Sequence, residues 1–218
     1  DYTTTTGSGY GATLTSGIII GGVRGTSSTS SSALTVTLTN IKFYDNECSL
    51  SSSNAYGAAI STVPNLNDTA HTININECIF IDNEADGWGG GIALLSGHNA
   101  TIKNSYFVHN KARSGGAIYS AEYESAGSDS TLNIYNCTIW GNYASLGSFS
   151  NANASGGISL YSATDQIDVN VKNSVLAYNY HDSGSLGWEI MTYSDAGSNI
   201  DIDIDYTLTY NVYGSRMD

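Results

Sequence analysis

The chain has 218 residues, only 12% of them charged, and its seven Lys and Arg stand against twenty Asp and Glu for a formal net charge of −13. That charge repels a phosphate backbone and an anionic lipid surface, so nucleic acid is excluded and cations, neutral glycans and other proteins are left as partners. No apolar run approaches the roughly 18 residues of a membrane span, so direct membrane insertion is not expected either.

In chain order, an irregular stretch at 1–33 holds one early element, "YGATL" (10–14), and from residue 34 a three-part pattern recurs. It begins as "LTVTLTN" (34–40), "IKFYDN" (41–46) and "YGAAI" (56–60). It returns as "TININE", "CIFIDN" and "GGGI" over 72–92, and as "ATIKN", "SYFVHN" and "GGAI" over 100–118. Two more copies follow, "TLNIYN", "CTIWGN" and "SGGI" over 131–158, then "DVNVKN", "SVLAYN" and "GWEI" over 168–190. The aromatic-rich end, 200–218, supplies "IDIDID" and "YTLTYN".

Aligned on their last residue, the second parts give a ladder of Asn46, Asn83, Asn110, Asn142, Asn179 and Asn211. Three residues earlier come Phe43, Phe80, Phe107, Ile139, Leu176 and Leu208. Six residues earlier come Asn40, Asn104, Asn136 and Asn173, with Glu77 and Asp205 as departures. The rungs are 37, 27, 32, 37 and 32 residues apart, so one signature is kept while the loops vary. Short period-two stretches repeated in this way describe an all-β fold, a right-handed single-stranded parallel β-helix of about six to seven coils. It is expected to form one domain over 1–218, with regular coils at 34–199 and a terminal coil at 200–218.

Each coil is expected to hold three strands, with the main Asn turning a corner in left-handed backbone and bonding the Asn above and below. Parity sends the Phe/Ile/Leu column inward, together with Ile41, Cys78, Ser105, Cys137, Ser174 and Tyr206. Cys78 and Cys137 then lie two coils apart, roughly 9–10 Å, beyond the reach of a disulfide. Cys48 falls on another column, so three buried free thiols are expected.

The Phe-x-x-Asn of 43–46, 80–83 and 107–110, together with Gly115-Gly116-Ala117-Ile118, resembles the repeats of chlamydial polymorphic outer-membrane proteins and related adhesin-like surface proteins. The resemblance runs over about residues 11–211. It implies a surface-displayed, adhesive stalk or passenger in an extracellular or cell-surface setting.

Several groups of residues are candidates for function. Asp45 and Glu47, then Asp82 and Glu84, occupy matching positions on successive coils and could act as acid and base in a polysaccharide lyase or glycoside hydrolase, or hold Ca²⁺. The next copies place His109 and Lys111, then Gly141 and Tyr143, at those positions, so solvated corner residues are the preferred reading. Asp201, Asp203 and Asp205 share one strand face and could share a cation, although an acidic stripe that blocks unwanted pairing is the preferred reading. His71, His98, His109 and His181 lack metal spacing and read as surface or turn residues. No resident cofactor is called for, with Ca²⁺ the one candidate ion.

An apolar outer column, Tyr44, Ile81, Val108, Trp140 and Ala177, with Ile79, Tyr106 and Val175 beside it, is large enough to mark a contact site unless a terminus or the loop 143–154 covers it. The terminal aromatics Tyr206, Tyr210 and Tyr213 either plug the end of the solenoid or stack on a second copy. Trp88, Tyr56 and Tyr123 are weaker candidates for stacking on sugars. Asn67, Asn99 and Asn153 lie in accessible sequons, whereas the sequon at Asn136, in a turn ladder, is expected to be inaccessible. The function expected is a structural or adhesive module that assembles with itself, head-to-tail or laterally, or with other surface proteins.

Overall fold

The structure is a computed structural model that describes residues 17–20, 33–49, 55–62, 70–95, 97–122, 129–145, 154–163, 165–182, 188–194, 199–209 and 212–213. All strand pairings among them are parallel, and they form four sheets, each running the length of a solenoid. No helix among the described residues is long and apolar enough to cross a membrane.

A coil is best followed through its third copy. His98–Lys103 forms the first face, Tyr106–Val108 the second, Lys111–Ala112 the third and Ile118–Glu122 the fourth. Each coil thus has four strands rather than the three expected. The additional strand has two residues, too short for alternation to announce it. The four sheets hold six, six, five and seven strands, and five consecutive coils carry all four faces. That is somewhat fewer complete coils than expected, while the parallel β-helix itself is as the repeats predict.

The core lies inside the coils. First-face strands alternate buried and half-buried residues, as in His71–Asn76 and Ser130–Tyr135, and their inward Ile73, Ile75, Ile102, Leu132 and Ile134 are fully enclosed. The inward column of the second face stacks Phe43 on Phe80 at 4.7 Å and Phe80 on Phe107 at 4.4 Å, with rings nearly parallel. Cys48, Ala85, Ala112 and Ala144 are buried on the third face, where only small side chains fit beside the tight corner. All three cysteines are free and buried, as expected, and burial pushes the Cys137 thiol up to about 11.

The corner between the second and third faces is made differently from the expectation. The residue before each main Asn is the left-handed one: Asp45, Asp82, His109 and Tyr178 have φ of 54°, 53°, 55° and 57°, and Gly141 has 63°. That twist turns the Asn side chain inward, where it is worth most. Asn46 Nδ2 donates to Asn83 Oδ1 at 2.7 Å, Asn83 to Asn110 at 2.7 Å, Asn110 to Asn142 at 2.9 Å and Asn142 to Asn179 at 2.9 Å. Asn83, Asn110, Asn142 and Asn179 are completely buried. The other ladder turns the earlier corner on the outside. Asn40, Glu77, Asn104, Asn136 and Asn173 are left-handed and exposed. Asn136 is therefore not inaccessible, although its amide donates to Asn104 at 3.2 Å.

Register changes in the last coil. Ile200–Asp205 pairs with Ile167–Lys172, and this sets Leu208 beside Val175 and Thr209 beside Leu176. Tyr206, not Asp205, takes the outer left-handed corner with φ 48°, and Thr207 takes the place given to Tyr206 beside Ser174. Leu208, expected inward, is 67% exposed. The pairing of alternating Ile residues decides the register, because a one-residue slip would turn Ile202 and Ile204 outward. Alignment on Asn211, which lies outside the described residues, sets the last copy 32 residues after the one before, whereas the pairing of Lys172 with Asp205 sets it 33 residues after.

Glu189 ends the buried Asn ladder. It stands where the other coils have Gly or Ala, is 1% exposed, and accepts a hydrogen bond from Asn179 Nδ2 through Oε2. Oε1 has no hydrogen-bond partner among the described residues. Burial raises its pKa to about 7 from an ordinary 4.5, against the opposing pull of Asn179. The folded chain therefore keeps this proton where the unfolded chain has already released it. The resulting stability is full below the ordinary value and is lost as pH rises through about 7. Glu189→Gln is expected to raise thermal stability at pH 8 and to remove a pH-dependent component on the order of 3 kcal/mol. Melting curves of both proteins at pH 4.5 and pH 8 test this, and an unchanged difference between the two would show that the group does not titrate there.

Candidate functional site

The outer side of the second face is set by three-residue strands whose middle residue is inward. Their first residues, Lys42, Ile79, Tyr106, Thr138, Val175 and Leu208, form one outward column. Their third residues, Tyr44, Ile81, Val108, Trp140 and Ala177, form the other. Tyr44 is 65%, Tyr106 51% and Trp140 40% exposed, with Ile79, Ile81, Val108 and Val175 half-buried between them. Ala177 is buried, and the rings of Trp140 and Tyr178 meet at 4.4 Å. The first face presents polar columns by contrast, such as Thr37, Asn74, Thr101, Asn133, Asn170 and Asp203, in which Asn170 Nδ2 donates to Asn133 Oδ1 at 3.0 Å.

Around the corner two further columns run along the solenoid. One is the left-handed position: Asp45, Asp82, His109, Gly141 and Tyr178. The other is the outward position of the third face: Glu47, Glu84, Lys111, Tyr143 and Tyr180. The four candidate acids thus do come together on neighbouring rungs, roughly 4.8 Å apart. Two of them also face the coil that follows. Glu84 Oε1 lies 2.5 Å from Lys111 Nζ, and Asp82 Oδ1 lies 3.9 Å from His109 Nδ1. Beyond these pairs the columns become aromatic, with Tyr143 against Tyr180 at 5.0 Å. His109, Lys111, Gly141, Tyr143 and Tyr180 line an open cleft of about 410 Å³. The sequence had shown these substitutions only as departures from an acidic pattern.

The other candidates are spread over the molecule. Asp201 and Asp203 are exposed and Asp205 half-buried on the outside of the last first-face strand. Asp203 is 3.0 Å from Lys172 Nζ, and its hydrogen bond raises the pKa of that lysine. Gln166 Nε2 reaches Asp201 at 3.4 Å. Among the described residues no group of three or more His, Cys, Asp or Glu is arranged to hold a metal ion. Trp88 stacks on Tyr56 at 5.1 Å and meets Tyr119 at 6.0 Å, so this pair lies half-buried over the outside of the fourth face against Leu95 and Ala121. Asn99 is exposed on a first-face strand. Tyr123, Asn67, Asn153, Tyr210 and the side chain of Tyr213 lie outside the described residues, as do residues 146–153 of the loop considered as a cover; Tyr206 is 85% exposed.

Two histidines depart from the expectation. His71 and His98 are buried, in register, at the start of the first face. Ser120 Oγ lies 3.1 Å from His98 Nε2 and Ser130 Oγ 3.2 Å from Nδ1, while Ser130 also donates to the buried Glu122. Burial and then His71 lower the pKa of His98 to about 3, so its imidazole is neutral. Gly97 N donates to Glu122 Oε1 at 3.1 Å. This sealed network fastens the end of the fourth-face strand Ile118–Glu122 to the beginnings of the first-face strands before and after it, His98–Lys103 and Ser130–Tyr135. Its members are 25 or more residues apart in part, so no local pattern announces them.

Together the four sheets and their ladders define a parallel β-helix repeat protein. Residues 104–121, from the outer Asn104 through Phe107, Asn110 and the Gly-led strand, match the Chlamydia polymorphic membrane protein repeat. No curated protein and no solved structure matches the chain significantly.

Proposed function

We propose that this chain is an extracellular or cell-surface module, structural or adhesive, that contacts another copy or another surface protein through the outer side of its second face. The observation that carries this reading is the pair of outward columns in which Tyr44, Tyr106 and Trp140 stand exposed over half-buried Ile79, Ile81, Val108 and Val175. A sheet whose far side is already the core gains nothing within the chain by presenting such residues to water, whereas a partner would remove them from it. The repeat match supports a surface setting, since the repeat is that of a polymorphic membrane protein. Head-to-tail contact is supported by the outermost described first-face strands, Thr35–Thr39 and Ile200–Asp205, each paired on one side only among the described residues, with inward Val36, Leu38, Ile202 and Ile204 half-buried.

Light scattering and negative-stain imaging at neutral pH test the reading. The wild-type chain is expected to form dimers or longer assemblies, and the double variant Tyr44→Asp, Trp140→Asp is expected to shift them to monomer. A wild-type chain that stays monomeric at the highest soluble concentration would remove self-assembly. EDTA is expected to leave the assemblies intact, because Asp203 is already engaged by Lys172; dissociation by EDTA would instead assign Asp201, Asp203 and Asp205 to Ca²⁺. The carbohydrate-active alternative through Asp45, Glu47, Asp82 and Glu84 is weakened by the Lys111 and His109 contacts, and release of reducing ends from a polysaccharide panel would revive it.

A further inference from the structure

The corner beside the apolar flank carries a different chemistry. Tyr143 and Tyr180 present two tilted rings, 48° apart, on successive rungs, and Tyr178 presents a third on the neighbouring column. The cleft is lined by Tyr143 and Tyr180, with Gly141, His109 and Lys111 forming the rest of its wall. A Cβ on Gly141 would come within 2.9 Å of the His109 ring, so glycine at this rung is what lets the imidazole lie across the coil and form that wall. Each basic side chain faces an acid one coil away: Lys111 pairs with Glu84, and the His109 ring lies 3.9 Å from Asp82. The cleft is thus a ring of hydrogen-bonding groups with little net charge, next to aromatic faces, on a chain whose total charge is −13.

We infer that this corner binds an uncharged glycan chain lying along the solenoid axis, with a sugar ring in the cleft stacked on Tyr143 and Tyr180 and its hydroxyls bonded by Lys111, His109 and Glu84. A sugar ring has an apolar face for an aromatic side chain and a rim of hydroxyls that both donate and accept. The paired acids and bases supply both kinds of partner at fixed positions. Polyanionic glycans are disfavoured, because the surplus carboxylates on the same columns, Asp45 and Glu47, and the overall charge oppose them. The columns repeat every roughly 4.8 Å along the axis, which suits an elongated ligand better than a compact one. The site is separate from the half-buried Tyr56–Trp88 pair, whose rings are taken up by packing on Leu95 and Tyr119.

The inference rests on the adhesive reading of the module and names its ligand class, but it uses different residues from the assembly flank. The test is a printed array of uncharged and acidic glycans probed with the full 218-residue chain, followed by titration calorimetry with the strongest uncharged oligosaccharide. Binding confined to uncharged glycans is expected. Tyr143→Ala and Tyr180→Ala should each weaken it by about tenfold or more, whereas Tyr180→Phe, which keeps the ring, should stay within about threefold. Melting curves of the variants show whether the fold is kept, and the Phe variant separates stacking from a merely structural role. An array without uncharged binders, a preference for acidic glycans, or alanine variants that bind like the wild type would each overturn the inference. Loss of assembly in the Tyr44 and Trp140 variant with glycan binding intact would leave the two results independent.

Discussion

Asn110→Ala is expected to destabilise the fold by about 3–5 kcal/mol, the largest effect of any single polar substitution considered. Asn110 is fully buried and makes four hydrogen bonds through its amide. Its Nδ2 donates to Phe80 O at 3.0 Å and Asn142 Oδ1 at 2.9 Å, and its Oδ1 accepts from Asn83 N at 3.1 Å and Asn83 Nδ2 at 2.7 Å. Alanine leaves groups on both adjacent coils without partners in a space closed to water, and each such group costs about 1–3 kcal/mol. The same change at Asn104 supplies the control. Asn104 sits on the outer ladder, exposed, with φ 51°, and its amide bonds to Asn76 and Asn136 where water can replace them. Only the left-handed backbone is penalised there, by about 1–2 kcal/mol. Urea denaturation of the two variants decides the matter: equal losses would mean that the buried ladder contributes no more than the exposed one.

Phe80→Ala is expected to cost a similar 3–5 kcal/mol, for a reason of packing. Phe80 is completely buried, with Phe43 stacked on one side and Phe107 on the other at interplanar angles of 9° and 3°. Removing the middle ring opens a cavity that neither neighbour can fill without leaving its own coil, since hydrogen bonds on every face hold the rungs at a fixed spacing. Phe80→Leu keeps most of the volume and is expected to lose less than about 2 kcal/mol. Because stability in a solenoid is a sum over neighbouring coils, the alanine variant should also broaden the denaturation transition. A narrow transition with a small loss would indicate that the coils re-pack around the gap.

Both predictions use residues that the sequence already singles out, and the limits of that legibility are instructive. The Phe-x-x-Asn signature locates Phe80 and Asn110 because identical side chains must stack on one another along the axis, so the same residue types recur at each coil. The inward column, the free thiols and the small residues at Cys48, Ala85 and Ala112 follow from parity alone. The candidate surface was read only in part. Tyr44, Ile81, Val108 and Trp140 are legible as one outward column, and the corner positions from Asp45 and Glu47 to Gly141 and Tyr143 are legible as matching ones, but not the contacts across them, because the residue type changes from coil to coil. Those contacts are visible once Glu84 is paired with Lys111 and Tyr143 with Tyr180.

What the sequence by itself determined is the architecture: a parallel β-helix, its Asn ladder and inward aromatic column, and the polar and apolar sides of its first two faces. Those properties depend on period and parity, which are local. What only the tertiary structure decided is which residue of each corner is left-handed, the fourth strand of the coil, the slip that exposes Leu208, the sealing of His71, His98 and Glu122, and the meeting of charged and aromatic residues around the corner cleft. All of these depend on pairing between coils. Loops of unequal length separate the partners in sequence, and the register that reunites them is chosen by burial of the first-face Ile and Val residues rather than by any pattern along the chain.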